Sequence, residues 1–246
     1  LKLSQLKIIF SDFDGTLTCQ GFIDQNFIEI LNWSRKREMP FVIVTGRSLS
    51  WGHFLLTHFN QVDVVIVEGG GVVVWKDEKG RLCEQVLVSE KNLDELKKVT
   101  MELEANFSFP LSQDSFGRKT DRAIELYHFD QKRSLKKEVE LFLKEKGVNF
   151  SCSNVHLNFW KGDISKIKGI NFFSKRFFPE HNLDNYLYFG DALNDQEVFK
   201  EFPHSVGVSN ISIFLNKMSH RPKVILKGKE NEGNLGVLNY LKQLSK

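Results

Sequence analysis

Phe10-Ser11-Asp12-Phe13-Asp14-Gly15-Thr16-Leu17-Thr18 follows directly on the apolar run Leu6-Lys7-Ile8-Ile9. A short β-branched run that closes in a polar, glycine-containing turn reads as a buried strand ending at a site. Residues two apart in an extended chain point the same way, so Asp12 and Asp14 are expected to leave the strand end side by side. Two adjacent carboxylates repel and are costly to desolvate unless a metal ion or a shared proton relieves them. Gly15 allows a tight turn, after which backbone N–H groups can face an anion. Alone, the stretch also fits an Asp-rich turn without chemistry. The flanking chain decides.

Two more buried-strand runs follow. Phe41-Val42-Ile43-Val44 ends in Thr45-Gly46-Arg47-Ser48, and Val62-Asp63-Val64-Val65-Ile66-Val67 ends in Glu68-Gly69-Gly70-Gly71. Between the strands, Phe27, Ile30 and Leu31, then Trp51, Phe54, Leu55 and His58, recur at helical spacing. Alternating strand and helix predicts an α/β fold, a Rossmann-like parallel sheet with helices on its faces. After a hairpin pattern over residues 72–88 the rhythm changes. A helix carrying Leu93, Leu96, Val99 and Leu103, a loop, a strand Ala123-Ile124-Glu125-Leu126-Tyr127, a helix carrying Leu135, Val139, Phe142 and Leu143, and one closing strand read as an α+β insert. The first rhythm then returns, with a helix that Ser165 can cap, a strand Asn185-Tyr186-Leu187-Tyr188-Phe189 ending in Gly190-Asp191-Ala192-Leu193-Asn194-Asp195, and two short strands before a final helix. The expected division is a core over 1–84, an inserted α+β domain over 85–160, and the rest of the core over 161–246.

Composition narrows the function. A chain of 246 residues, 41% hydrophobic and 26% charged, can bury a full core in one large domain or two modest ones. A net charge of +3 and a pI near 8.6 suit small anionic substrates and fall short of a nucleic-acid footprint. Cys19, Cys83 and Cys152 form no paired motif, which favours a reducing cytosol. No apolar run reaches membrane-spanning length, and Leu1-Lys2-Leu3-Ser4 has no secretory apolar region. The seven histidines include no metal-binding pair. A cytoplasmic monomer or small homo-oligomer, with no nucleic-acid or membrane partner, is the expectation.

The predicted strand ends form a constellation. Asp12 and Asp14, Thr45 with Gly46, the Gly69–Gly71 run, and Asp191, Asn194 and Asp195 all fall at carboxyl ends, where open α/β sheets bind ligands. Lys166 begins the helix before Asp191. Clustered carboxylates with one ammonium suit a hard divalent cation bound together with a phosphate.

Asp12-Phe13-Asp14-Gly15-Thr16, Thr45-Gly46-Arg47, Lys166 and Gly190-Asp191-x-x-Asn194-Asp195 resemble, in order, the four motifs of the haloacid dehalogenase superfamily of phosphatases. The spacing leaves room for that family's large cap between the second and third motifs. The branch most resembled is the sugar-phosphate phosphatases, including sucrose- and trehalose-phosphate phosphatases, and Val206-Gly207-Val208-Ser209-Asn210 is similar to its segment after the fourth motif. Two departures stand out. Glu68-Gly69-Gly70 replaces the branch's usual Glu-Asn-Gly, and the third motif is one residue longer than usual, which makes Lys168 a rival to Lys166.

The resemblance implies a magnesium-dependent phosphomonoesterase acting on a small phosphate ester, a sugar phosphate, through an aspartyl-phosphate. Asp12 resembles the nucleophile and Asp14 the general acid. Thr45 and the Gly46 N–H would hold the phosphoryl group and Lys166 would neutralise it. Asp12, the Asp14 carbonyl and Asp191 would hold Mg²⁺, with Asn194 and Asp195 anchoring phosphate or orienting metal water and Lys166. Arg47 reads as either a substrate contact or a structural ion pair, and Arg118, Lys119 and Arg122 as candidates for reading the leaving group. A phosphohexomutase-like phosphoryl transferase shares this core and cap, and a non-catalytic phospho-receiver also gathers acids, a Thr and a Lys at a sheet edge.

Overall fold

The structure is a computed structural model that describes residues 2–130, 133–152 and 156–245; Leu1, in the stretch read for a leader, lies outside them. The chain runs through β1 (Ile8–Ser11), α1 (Gln25–Arg35), β2 (Phe41–Val44), α2 (Leu49–His58), β3 (Val64–Val67), β4 (Val72–Lys76) and β5 (Leu82–Val86). The insert follows as α3 (Glu90–Asn106), β6 (Asp121–Glu125), α4 (Arg133–Glu145), β7 (Asn149–Cys152) and β8 (His156–Trp160). It closes with α5 (Lys166–Phe177), β9 (Tyr186–Gly190), α6 (Gln196–Glu201), β10 (Ser205–Gly207), β11 (Val224–Ile225) and α7 (Gly233–Leu244).

Eight strands form one sheet in the order β11-β10-β9-β1-β2-β3-β4-β5, parallel from β11 to β3 and antiparallel across β4 and β5. Both faces are covered, which is why the parallel strands read as unbroken apolar runs. Alternation along β1 sends Ile9 to one face, with Phe27, Leu31, Leu55 and Leu238, and sends Ile8 and Phe10 to the other, with Ile170, Phe173 and Phe199. Phe10 meets Phe173, Tyr186 and Phe202 edge-on at 5.3–5.8 Å, and truncating so enclosed a ring costs about 3–5 kcal/mol. β1 is thereby fixed at the sheet centre, with β2 and β9 beside it.

The insert is a three-stranded antiparallel sheet, β6-β8-β7, with its own core. Ile124, Leu157 and Phe159 pack beneath Leu96 and Leu103 of α3 and Val139 and Leu143 of α4. The strand expected over 123–127 begins at Asp121 and stops at Glu125, where a 3₁₀ turn, Leu126–Phe129, takes over and exposes Tyr127. Its start is drawn forward because Thr120 and Asp121 are anchored by side chains described below. Where one strand was expected after α4 there are two. The first, β7, is an edge strand with mostly exposed residues and no apolar alternation to announce it. Among the described residues no helix is long and apolar enough to cross a membrane.

Candidate active site

Four segments converge at the carboxyl ends of β1 and β9. Lys166, the first residue of α5, donates from Nζ to Asp12 Oδ1 at 2.5 Å and to Asp195 Oδ1 at 2.6 Å. Asp12, Asp191 and Asp195 can each bring an oxygen within 4.8 Å of the others, and none is more than 4% exposed. Asp191 accepts from Thr16 Oγ1 at 3.2 Å and Asn210 Nδ2 at 2.7 Å. Asp195 accepts from the Asp191 and Ala192 N–H groups and from the Tyr188 hydroxyl at 2.5 Å. Local backbone makes the approach possible. Gly15 has φ +83°, and a side chain there would collide with the Asp191 carboxylate. Gly70, at φ +108°, leaves room for the Ser165 carbonyl that precedes Lys166. Ser165 occupies the N-cap of α5, but its side chain makes no capping bond, contrary to the sequence reading.

Charge does not balance here: three buried carboxylates face one ammonium. Burial pushes Asp12 up to about 7 despite the pull of Lys166, with Asp195 adding to the rise. Burial, then Asp12 and Asp195, drives Asp191 well above the usual carboxylate range. Burial opposes the charge on Lys166, but Asp12 and Asp195 outweigh it and raise its pKa. An oxygen-only donor set with surplus buried negative charge fits a divalent cation such as Mg²⁺, which would relieve that surplus.

Asp14 parts from Asp12. Strand pairing ends as the Asp12 N–H reaches the Phe189 carbonyl, and the N–H groups of Leu17 and Thr18 then fold back onto Phe13 O. Asp14 nonetheless lies near enough to Asp12 for its charge to add to the rise in Asp12's pKa. Asp14 is half-exposed and gripped by Arg47, with Nε at 2.9 and 3.1 Å and Nη2 at 2.6 Å. The Arg47 guanidinium also lies 4.6 Å from the Trp51 ring centroid, and its pKa rises first through the hydrogen bond to Asp14, with Asp114 adding. The N–H groups after Gly15, expected to face an anion, are taken up within the turn: those of Thr16, Leu17 and Thr18 donate to Phe13 O, and Gly15's own N–H donates to Thr18 Oγ1.

The other candidates fall around this mouth. Thr45 is buried, its hydroxyl accepting the Arg47 N–H and its carbonyl the Gly69 N–H, both at 3.0 Å. Gly46 presents open space where a side chain would stand, and its carbonyl accepts from Arg118 Nη1 at 3.0 Å. Asn194 lies exposed on a 3₁₀ turn, Leu193–Asp195. Of the two lysines weighed for the third motif, Lys166 is buried beside Asp12, whereas Lys168 is half-exposed and paired with Asp163.

Each of the three cap cations has a partner within the protein, and of the three Arg118 is enclosed. Arg118 is wholly enclosed, donating to Asp114 and Asp121 as well as to Gly46 O. Lys119 pairs with Glu84. Arg122 turns back onto the carbonyls of Asp121 and Arg118. One guanidinium serves two carboxylates, and they diverge. Burial acts to raise Asp114, but Arg118 outweighs it and holds Asp114 below its ordinary value; buried Asp121 is pushed up to about 7 even with Arg118 beside it.

Sequence reasoning missed Glu68. Its backbone is left-handed, φ +53°, and its buried carboxylate accepts the N–H groups of Leu49, Lys119 and Thr120 and the Thr120 hydroxyl at 2.6–3.1 Å. It thus ties β6 of the insert to α2 of the core. The available signal was an acid beside a glycine run at a strand end, read as a missing asparagine rather than a present carboxylate. Asn210, noted only as part of a similar segment, bridges Asp191 to the Gly15 carbonyl.

Comparison with known proteins fits this geometry. The model of the haloacid dehalogenase-like hydrolases matches residues 9–149 and 110–233. This chain belongs to that family. With membership stands the expectation of a phosphatase. A phosphoglycolate phosphatase from Archaeoglobus fulgidus is 24% identical over 244 residues, covering 96% of each chain. One from Sulfolobus acidocaldarius is 24% identical, over 83% of this chain and 84% of that one. Among solved structures, a Thermoplasma acidophilum protein superimposes with a TM-score of 0.74 at 17% identity, covering 98% of both chains. A haloalkanoate-superfamily phosphatase from Bacteroides thetaiotaomicron gives 0.68 at 18% identity, over 100% of this chain and 97% of that one. At such identities the structural likeness speaks for the fold.

Proposed function

We propose that this chain is a magnesium-dependent phosphomonoesterase that hydrolyses a small phosphorylated metabolite, a sugar phosphate, through an aspartyl-phosphate on Asp12. The observation that carries the reading is the surplus of buried carboxylate around Lys166, with three acids to one ammonium. An Asp12 oxygen attacks phosphorus, the ester P–O bond breaks, and Asp14 gives its proton to the departing oxygen. Asp14 then takes a proton from water, which attacks the phosphorus and frees Asp12 and inorganic phosphate. Thr45 and the Gly46 N–H position the phosphoryl group, and Lys166 meets its charge. Asp12, Asp191 and the Asp14 carbonyl would hold Mg²⁺, which supplies charge neutralisation at the phosphate. Asp195 orients Lys166, and Arg47 with Trp51 keeps Asp14 in place. Asn194 stands where an exposed amide could meet the substrate. Arg118 we assign to fastening the cap, because it is enclosed between Asp114, Asp121 and Gly46 O, while Lys119 and Arg122 stay candidates for reading the leaving group.

Phosphate release from p-nitrophenyl phosphate tests this. Turnover is expected with magnesium, none in excess chelator, and a loss of about a thousandfold or more in Asp12→Asn with the fold retained. Full activity in chelator, or more than a few per cent of activity in Asp12→Asn, would overturn it.

A further inference from the structure

The insert's sheet has two unlike faces. Ile124, Leu157 and Phe159 point to α3 and α4, so Asp121, Glu125, His156 and Asn158 stand on the opposite face. That face is one connected network. Glu125 lies opposite His156, 3.1 Å from its Nε2, and accepts from Ser112 Oγ at 2.7 Å. Asn158 donates to Asp121 at 3.0 Å, and Arg118 carries the chain of contacts from Asp121 to the Gly46 carbonyl at the core mouth. Trp160, opposite Asp121 at the core end of the sheet, adds an indole N–H that is buried without an acceptor among the described residues.

The charge of this junction is one-sided. Asp114, Asp121 and Glu125 stand here, and the basic groups near them already have partners: Arg47 with Asp14, Arg118 with Asp114 and Asp121, Lys119 with Glu84, Lys166 with Asp12 and Asp195, His156 with Glu125, and Arg122 with the carbonyls of Asp121 and Arg118. A carboxylate entering beside Glu125 with the substrate would meet acids and, among the described residues named above, basic groups that already have partners. Hydroxyl groups would find acceptors in Glu125 and Asp114, which keep about a fifth of their side-chain surface exposed. We infer that the Ser112–Glu125–His156 face of the cap reads the leaving group and selects a neutral, polyhydroxylated one against an anionic one. Glu125 is the specificity-determining residue. This rests on the phosphatase reading and separates the chain from relatives that are phosphoglycolate phosphatases, whose named substrate carries a carboxylate.

The experiment compares kcat/KM with magnesium for glucose 6-phosphate, ribose 5-phosphate and 2-phosphoglycolate in wild type, Glu125→Gln and Glu125→Lys. Thermal melting checks the fold, and wild-type turnover of p-nitrophenyl phosphate checks the chemistry. Wild type is expected to favour at least one sugar phosphate over phosphoglycolate by tenfold or more. Glu125→Gln should shrink that ratio at least fivefold and Glu125→Lys further; if the lysine variant does not fold, the glutamine variant carries the test. A purely structural role would lower all three rates alike and leave the ratio unmoved. Wild-type preference for phosphoglycolate, or an unmoved ratio in Glu125→Gln, overturns the inference while the phosphatase reading stands. Failure to cleave even p-nitrophenyl phosphate overturns both.

Discussion

Buried carboxylates gather in two places in this molecule, and the two are built oppositely. At the strand ends, Asp12, Asp191 and Asp195 share one lysine and carry more negative charge than the protein answers. At the joint between core and cap, Glu68 takes up three N–H groups and a hydroxyl, and Asp114 and Asp121 divide Arg118 between them. Burial alone therefore does not mark a reactive site, and neither does an excess of acid, since the joint also has more carboxylates than guanidinium. What differs is the kind of partner: at the joint, backbone N–H groups and Arg118 tie the acids across two bodies, whereas Asp12 at the strand end has Lys166.

The contrast can be broken most forcefully at Lys166. Lys166→Ala should lower kcat/KM by about a hundredfold or more, the scale of a buried charge-assisted contact to a phosphoryl group, while Lys168→Ala stays near wild type. Steady-state kinetics of the two variants side by side decide it, and the reverse order would move the reactive lysine to the exposed flank of α5.

The joint should answer in stability before chemistry. Glu68→Ala strips the acceptor from four donors and is expected to cost about 3–5 kcal/mol in denaturant unfolding, with the insert losing protection in hydrogen exchange before the core. Uniform loss of protection across both bodies would show that Glu68 does not act as a fastener.

The smallest effect is the most discriminating. Asp12 is pushed from 3.8 to about 7, so the folded, metal-free protein holds a proton that the unfolded chain releases near pH 4. Its contribution is therefore fully present below about pH 4 and lost as pH rises toward 7, and Asp191 acts in the same sense. Asp121, also pushed to about 7, adds to that fall from the cap side. Stability in chelator should fall between pH 5 and pH 8, on the order of a few kcal/mol in all, and the melting temperature should fall with it. Magnesium should reverse the strand-end part and leave the Asp121 part, which Asp121→Asn removes instead. A melting temperature that rises with pH in chelator would mean that the strand-end surplus is not real.

What the sequence determined by itself is what repeats or is local. The alternating runs around Ile8–Ser11, Phe41–Val44 and Val64–Val67 dictate a parallel sheet, because only strands buried on both faces are apolar throughout. Asp12, Lys166, Asp191 and Asp195 were legible because each closes or opens such an element, and parallel topology sends all those ends to one edge. What only the tertiary structure decided is pairing between distant segments. Asp14 meets Arg47, 33 residues further along, a partner that no local pattern announces. Arg118 is enclosed by Asp114, Asp121 and Gly46 O, a set of partners equally without a local signal. Glu68 reaches Thr120 across 52 residues, a contact without sequence periodicity. A side chain's type states what it can bind; which partner arrives first is set by the fold.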